Sequence, residues 1–302
     1  EVRRALAPLP RWTHYVVGVA VVLARHGVVE PAPVRVEVAS DLPMSVGVAS
    51  SAALEVAVAR ALGADVDTLR LAALCQEAEN QVVGAPCGIM DQVAVAAGEP
   101  GSVLPVLCRP ASLGPVVPLA PELEVVGWPS GAQHDVSGLP YRRARTAAFM
   151  GKRMVEDATG RLWSWVSQLP AAEVVRLPDA VEGSAFLDRW SGTDDGLTSV
   201  DASEQYPVHA ATAFGREEHE RSGRALAALA RGDPGGLRPL MHASDAAYAA
   251  MGLGHAVASA VVEEALARPG VHGARSSGGG CGGTVVVACR AGALDDVDDL
   301  IR

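Results

Sequence analysis

Between Pro43 and Ala53 the chain reads Pro-Met-Ser-Val-Gly-Val-Ala-Ser-Ser-Ala-Ala, a short turn running straight into an apolar stretch from Ala52 to Leu62. Gly47 opens backbone angles that a side chain would forbid and lets the main chain come close to a ligand. Ser50 and Ser51 stand where the N-cap and first turn of a helix belong, and Gly63 stops that helix. The first amides of a helix lie unpaired at the positive end of its dipole, which suits them to a phosphate group. The same residues also make an ordinary capped helix, and no lysine of the G-x-x-x-x-G-K-[ST] pattern follows. Taken alone, the segment leaves both readings open.

Periodicity predicts the surrounding elements. Tyr15, Val16, Val19, Val22 and Leu23 form an apolar stripe at helical spacing, so residues 12–26 are expected to be helical. Val34-Arg-Val-Glu-Val38 alternates and is expected to be a strand with one wet face. Asp67 is placed to cap a second helix that carries Glu79, and a short helix is expected over residues 90–97. Strands are expected at 123–127 and 285–289. Long helices are expected at 141–157, 217–230, 237–250 and 256–267. The mixture of proline, glycine and acidic residues over 169–207 predicts irregular structure. No regular βαβ rhythm emerges, so the expected fold class is α+β, in two lobes with a boundary near residue 123: 1–123 and 124–302.

Composition narrows the function. A net charge of −10 argues against nucleic acid, which needs clustered Lys and Arg, but not against a nucleotide held by a local field. No apolar run approaches the roughly 18 residues of a spanning helix, and residues 1–9 carry no leader pattern. A soluble, cytoplasmic protein without membrane contact is therefore the expectation. The five cysteines (Cys75, Cys87, Cys108, Cys281, Cys289) contain no C-x-x-C pair and read as buried thiols in a reducing compartment. Lys152 is the single lysine, which nearly excludes lysine chemistry.

Several residues attract attention on their own. Asp91 follows Cys87, Ile89 and Met90 and precedes Val93, a setting that predicts burial. It is either a carboxylate that accepts a hydroxyl proton or the cap of the helix starting there. Glu79 is either a solvated helix-face residue or, with Ser51, a pair of oxygens suited to Mg²⁺. Glu77 points about 200° away from it around a helix, so the two do not face one ion. Gly278 to Gly283 places five glycines in six residues before the strand at 285–289, a density that implies close approach to other backbone or to a ligand. Arg142, Arg143 and Arg145 are spread by helical spacing and read as a solvated face.

Three strings in order carry a resemblance. They are the opening loop; Cys75-Gln-Glu-Ala-Glu-Asn80 with Val83-Gly-Ala-Pro-Cys-Gly-Ile-Met-Asp-Gln92; and Ser276-Ser-Gly-Gly-Gly-Cys-Gly-Gly-Thr284. They resemble the second and third signature motifs of the GHMP small-molecule kinases, and Pro-Cys-Gly-Ile-Met-Asp-Gln is similar to the galactokinase branch. Trp128, Ser130 to Gly138, Tyr141 and Ala148-Phe-Met-Gly151, with Leu240-Met-His-Ala-Ser244, Tyr248 and Gly252-Leu-Gly254, are similar to L-arabinokinases. The likeness runs from about Trp12 onward. No counterpart of the family's first motif is found, so either an N-terminal segment is missing or the protein dispenses with it. The C-terminus is expected to stop slightly early.

The resemblance implies an active site between two lobes and an ATP- and Mg²⁺-dependent sugar kinase acting at the anomeric hydroxyl, with L-arabinose preferred to galactose as acceptor. It implies that Gly47, Val48, Ala49, Ser50, Ser51 and Ala52 cradle the nucleotide phosphates, with Gly279 and Gly280 completing the wall. It implies Ser51 and Glu79 for the metal and Asp91 for catalysis and sugar contact. Tyr141 and Asp135 are its further sugar contacts, with His134 and Tyr248 as weaker candidates; each has a plain alternative as turn, loop, anchor or core residue. The partners implied are the sugar and ATP, with a homodimer left open. The rival from another class is a non-catalytic sugar- or nucleotide-binding sensor on the same fold, which the absent first motif favours and the set Ser51, Glu79 and Asp91 opposes.

Overall fold

The computed structural model describes residues 2–44, 46–132 and 138–301. Internal contacts divide the chain into two units, Glu1–Pro118 and Leu119–Arg302.

Among the described residues, the first unit holds the α-helices α1 (Val2–Leu6), α2 (Arg11–Arg25), α3 (Ser50–Ala61), α4 (Thr68–Ala78) and α5 (Met90–Ala97). The stripe Val19, Val22 and Leu23 of α2 is buried with Val56 and Ala59 of α3 and with Leu71, Leu74 and Cys75 of α4, as the 3.6-residue spacing requires. Asp67 caps α4, accepting from the Arg70 amide at 2.9 Å. The helix expected to carry Glu79 stops at Ala78, and Glu79–Val83 forms a π-helical turn closed by Gly84. A Cβ on Gly18 would stand 3.2 Å from Val82 Cβ, so α2 approaches this turn at backbone range. Arg3 braces it by donating to the carbonyls of Gln81 and Asn80 at 2.6 and 2.8 Å. Four short strands follow: β1 (Ser102–Val103), β2 (Val106–Cys108), β3 (Ala111–Leu113) and β4 (Val117–Pro118). They pair antiparallel as β1–β4 and β2–β3.

The strand expected over 34–38 does not form. Residues 30–40 have no regular structure, and Val34, Val36 and Val38 are 59%, 40% and 45% exposed. Alternation specifies a strand only where a neighbour takes its N–H and C=O groups. Among the described residues no strand pairs with this segment.

The second unit holds β5 (Leu123–Pro129), α6 (Leu139–Thr159), α7 (Ala171–Val174), β6 (Val181–Glu182), α8 (Gly183–Trp190) and β7 (Gln205–Tyr206). It continues with α9 (Val208–Ala230), α10 (Leu237–Ala250), α11 (Ala256–Ala267), β8 (Val271–Ser276) and β9 (Thr284–Arg290). Its main sheet is antiparallel in the order β5-β9-β8. The central strand β9 is apolar on both faces, and Val285, Val287 and Cys289 pack with Val262 and Ala265 of α11. The mixture of helices and antiparallel strands is the expected α+β class.

Two expectations for this unit need correction. Residues 169–207 are not simply irregular: α8 buries Phe186 completely among Met150, Tyr206 and Val208, and β6 pairs with β7. The arginines at 142–145 are not a solvated face. Arg145 makes a bidentate pair with Asp195, both bonds at 2.8 Å; Arg143 donates to the Gln205 carbonyl at 2.5 Å, and Arg142 to the Leu197 carbonyl at 3.5 Å. Composition could not show that the 193–205 segment folds back onto α6 and takes up these cations. Lys152 is likewise buried, between Glu156 at 2.9 Å and Asp194 at 2.6 Å.

Burial alone would push the Asp195 carboxyl up, but Arg145, the Thr198 hydroxyl and the Leu197 amide outweigh it and hold it below the usual carboxylate range. A depressed folded pKa contributes stability above the ordinary value of about 3.9 that is lost as pH falls through the folded value. Arg145→Met, which leaves a buried carboxylate unpaired, is expected to cost about 3 kcal/mol at neutral pH. In denaturant titrations that deficit shrinks as the pH falls and the carboxyl is protonated, which happens first in the variant because it lacks the arginine that holds the group down.

Candidate active site

The turn before α3 has the backbone its sequence requires. Gly47 has φ 79° and Ala49, the N-cap residue of α3, is left-handed at φ 58°. A left-handed alanine carries strain that must be held by its surroundings. Ser50 is therefore inside the helix rather than its cap, and among the described residues no side chain caps this end. Val48, Ala49, Ser50 and Ser51 are half-buried and Ala52 fully buried, so the first-turn amides follow directly on the strained turn.

Behind this turn lies a cluster of carboxyl groups. Glu79 is 2% exposed, and its Oε2 accepts from Gln92 Nε2 at 2.7 Å and from Cys87 Sγ at 3.3 Å. The nearby Ser51 hydroxyl also acts on it, favouring its charged form. Glu55, one turn after Ser51 on α3, is completely buried, and its Oε2 accepts from the same Gln92 nitrogen at 3.0 Å. Burial pushes the Glu79 carboxyl up and the Asp91 charge adds to this, against the hydrogen bonds from Cys87 and Gln92 and the Ser51 hydroxyl. Burial also holds Glu55 well above the carboxylate range, with the charges of Glu79 and Asp91 adding to it and the Gln92 hydrogen bond opposing. The effect extends to Tyr15 of α2, whose hydroxyl is pushed up to about 12 by burial and then by Glu79, against Arg11. Burial and the Glu79 charge likewise keep Cys87 a thiol, its pKa raised.

The structure thus brings Ser51, Glu79 and Asp91 into one unit, near the Gly47–Ala52 turn. Glu77, as expected, faces elsewhere, pairing with Arg25 at 3.3 Å and His26 at 2.9 Å. Asp91 differs from expectation in two respects. It sits inside the first turn of α5 rather than at its cap, and it is half-buried. Helical rotation turns Gln92 and Val93 inward instead, leaving Met90 44% exposed. Cys75 and Cys289 are buried as expected and Cys87 and Cys281 half-buried, but Cys108 is exposed. Glu55 and Gln92 were missed by sequence reasoning. A signal did exist: Glu55 is the one charged residue in the apolar run from Ala52 to Ala59.

The glycine loop, Tyr141 and Tyr248 belong to the second unit. Gly280 is left-handed at φ 74°, and a Cβ there would lie 2.7 Å from the Leu253 carbonyl and 2.8 Å from the Tyr248 ring. The expected close approach is therefore made within the chain itself. Cys281 N–H donates to that same carbonyl at 2.8 Å, and Tyr248 donates to the Gly278 carbonyl at 2.6 Å. Gly279 lies in the same loop, and Tyr141 packs with Tyr248, Leu253 and Cys281 in one apolar cluster. His134 and Asp135 lie outside the described residues.

A carboxylate and a hydroxyl beside unpaired helix amides form a donor set that accepts a divalent cation with a phosphate chain. Comparisons with known proteins bear on the family of the whole chain. Residues 14–99 match the GHMP kinases N terminal domain and residues 225–298 match the GHMP kinases C terminal domain. The chain is 30% identical to an L-arabinokinase of Arabidopsis thaliana, covering 76% of this chain and 27% of that one. It is 33% identical to a galactokinase of Chloroflexus aggregans, covering 75% and 52%, and 32% identical to human galactokinase, covering 74% and 50%. It spans about half or less of the length of these relatives. Its fold is similar to that of Lactococcus lactis galactokinase complexed with galactose, with a TM-score of 0.73, 20% identity, and coverage of 94% of this chain and 69% of that one. Among the described residues no helix is long and apolar enough to cross a membrane.

Proposed function

We propose that this chain, which belongs to the GHMP kinases, performs ATP-dependent phosphorylation of a monosaccharide at its anomeric hydroxyl, with L-arabinose or a galactose-like sugar as acceptor. The observation that carries this reading is the gathering of Ser51, the buried Glu79 and Asp91 beside the left-handed Ala49 at the start of α3.

In this reading the turn Gly47–Ala52 receives the nucleotide phosphates on its amides and on the positive end of the α3 dipole. Ser51 and Glu79 hold Mg²⁺. They fit it because Mg²⁺ takes few protein oxygens, and these are a hydroxyl and a buried carboxyl group close enough for the hydroxyl to favour its charged form. When bound, the ion neutralises charge on the transferring phosphoryl group. Asp91 accepts the proton of the anomeric hydroxyl as its oxygen bonds to the γ-phosphorus and the bond to ADP breaks. Tyr141 and Asp135 orient the sugar, and Gly279 and Gly280 close the nucleotide wall. A cytoplasmic location completes the reading.

The test is ADP release by the full-length protein on a panel of monosaccharides. Turnover that depends on sugar and is greatest with L-arabinose or galactose supports the reading. Saturable sugar or nucleotide binding without turnover instead identifies a sensor.

A further inference from the structure

We propose that Gln92, anchored by Glu55, positions the Glu79 carboxylate for its divalent cation; this rests on the kinase reading above. Glu55 and Gln92 are completely buried and Glu79 is 2% exposed. The amide nitrogen of Gln92 carries two hydrogens, and the two carboxyl groups are its nearest acceptors, Glu55 Oε2 at 3.0 Å and Glu79 Oε2 at 2.7 Å, with Cys87 Sγ farther off at 3.8 Å. This single nitrogen therefore joins the three elements that present the site. Glu55 lies one turn beyond Ser51 on α3, Glu79 opens the π-helical turn, and Gln92 follows Asp91 on α5.

The chemistry of the bridge suits positioning better than packing. Among the described residues, Glu55 Oε1 and Gln92 Oε1 are buried without hydrogen-bond partners, a cost that an apolar side chain in this core avoids. Cohesion alone would be served by a leucine or methionine at 55, among the buried Ala52, Val56 and Ala59. The donor is also a neutral amide. An arginine or lysine at 92 would pair with Glu79 and cancel the charge a cation needs, whereas the amide fixes one oxygen and leaves the charge in place. Glu55 in turn holds the amide, so that Gln92 cannot rotate away from Glu79.

The test compares Mn²⁺ binding in the presence of ADP, followed by electron paramagnetic resonance, across full-length variants. Gln92→Met is expected to weaken Mn²⁺ binding about 10-fold, the usual scale for residues that orient metal ligands, and to raise the Mg²⁺ concentration needed for half-maximal turnover equally. The KM for sugar should change far less. Glu55→Met should behave like Gln92→Met, whereas Glu55→Gln, which still offers an oxygen to the amide, should restore most of the affinity. Gln92→Asn keeps the amide but withdraws it by one methylene, and tests the same point should Gln92→Met fail to fold. Undiminished Mn²⁺ binding in folded Gln92→Met or Gln92→Asn overturns the positioning role and leaves the kinase reading intact. Equal losses in Glu55→Met and Glu55→Gln also overturn it, since packing alone would then be at work. A parent protein that binds no Mn²⁺ with ADP overturns both.

Discussion

Asp91→Ala is expected to lower sugar-dependent ADP release by about 10²–10⁴-fold, the range for removing a positioned proton acceptor. The loss should fall on kcat, because a group that takes the proton as the hydroxyl attacks acts mainly in the transition state. Mn²⁺ binding with ADP should persist, since Ser51 and Glu79 are untouched and the Gln92 bridge stays on α5. The position of Asp91 supports this division. It is half-buried in the first turn of α5, one residue before the buried Gln92, and its charge reaches both Glu55 and Glu79. Asp91→Asn keeps the shape but not the proton affinity and should fail nearly as badly. Full turnover in either variant would remove Asp91 from the mechanism.

The second large effect is on folding. Phe186→Ala is expected to destabilise the second unit by about 3–5 kcal/mol, the scale of a buried aromatic truncation. Phe186 is completely buried, with its ring 4.9 Å from that of Trp190 and packed among Met150, Tyr206 and Val208. It packs α8 against Met150 of α6 and Val208 of α9. Domain stability is typically about 5–15 kcal/mol, so the loss should appear as a large fall in the denaturant midpoint. A shift below about 1 kcal/mol would mean that the 183–206 segment adds little to this core.

Periodic segments were legible in the sequence, and residues whose partners lie far along the chain were not. The stripe of α2, the Asp67 cap of α4 and the apolar run of β9 each declare themselves within a few residues, because helix and strand spacing are local rules. The alternation at 34–38 obeyed the same rule without forming a strand, since pairing depends on another segment. The 169–207 segment and Arg145 were misread for a related reason: a proline- and glycine-rich composition does not reveal a buried anchor such as Phe186 or a returning acidic segment that pairs with Arg145 and Lys152.

The candidate site divides along the same line. The Gly47 turn and Asp91 stood out in short strings, and Ser51 and Glu79 followed by resemblance. Glu55 and Gln92 belong to a network joining residues 37 positions apart. The π-helical turn at Glu79 was also unannounced. Its boundary depends on the close approach of α2 at Gly18 and on Arg3, both far away in sequence.

The central claim is that Ser51, Glu79 and Asp91 serve the transfer of a phosphoryl group to a sugar. Phosphorus NMR of the product formed by the full-length protein from ATP and its best sugar tests this most directly. The account predicts one new phosphate signal, coupled to the anomeric proton and absent from the Asp91→Ala reaction. A phosphate on another carbon would contradict the proposed acceptor. Nucleotide and sugar binding with no new phosphorus signal would contradict the kinase reading itself.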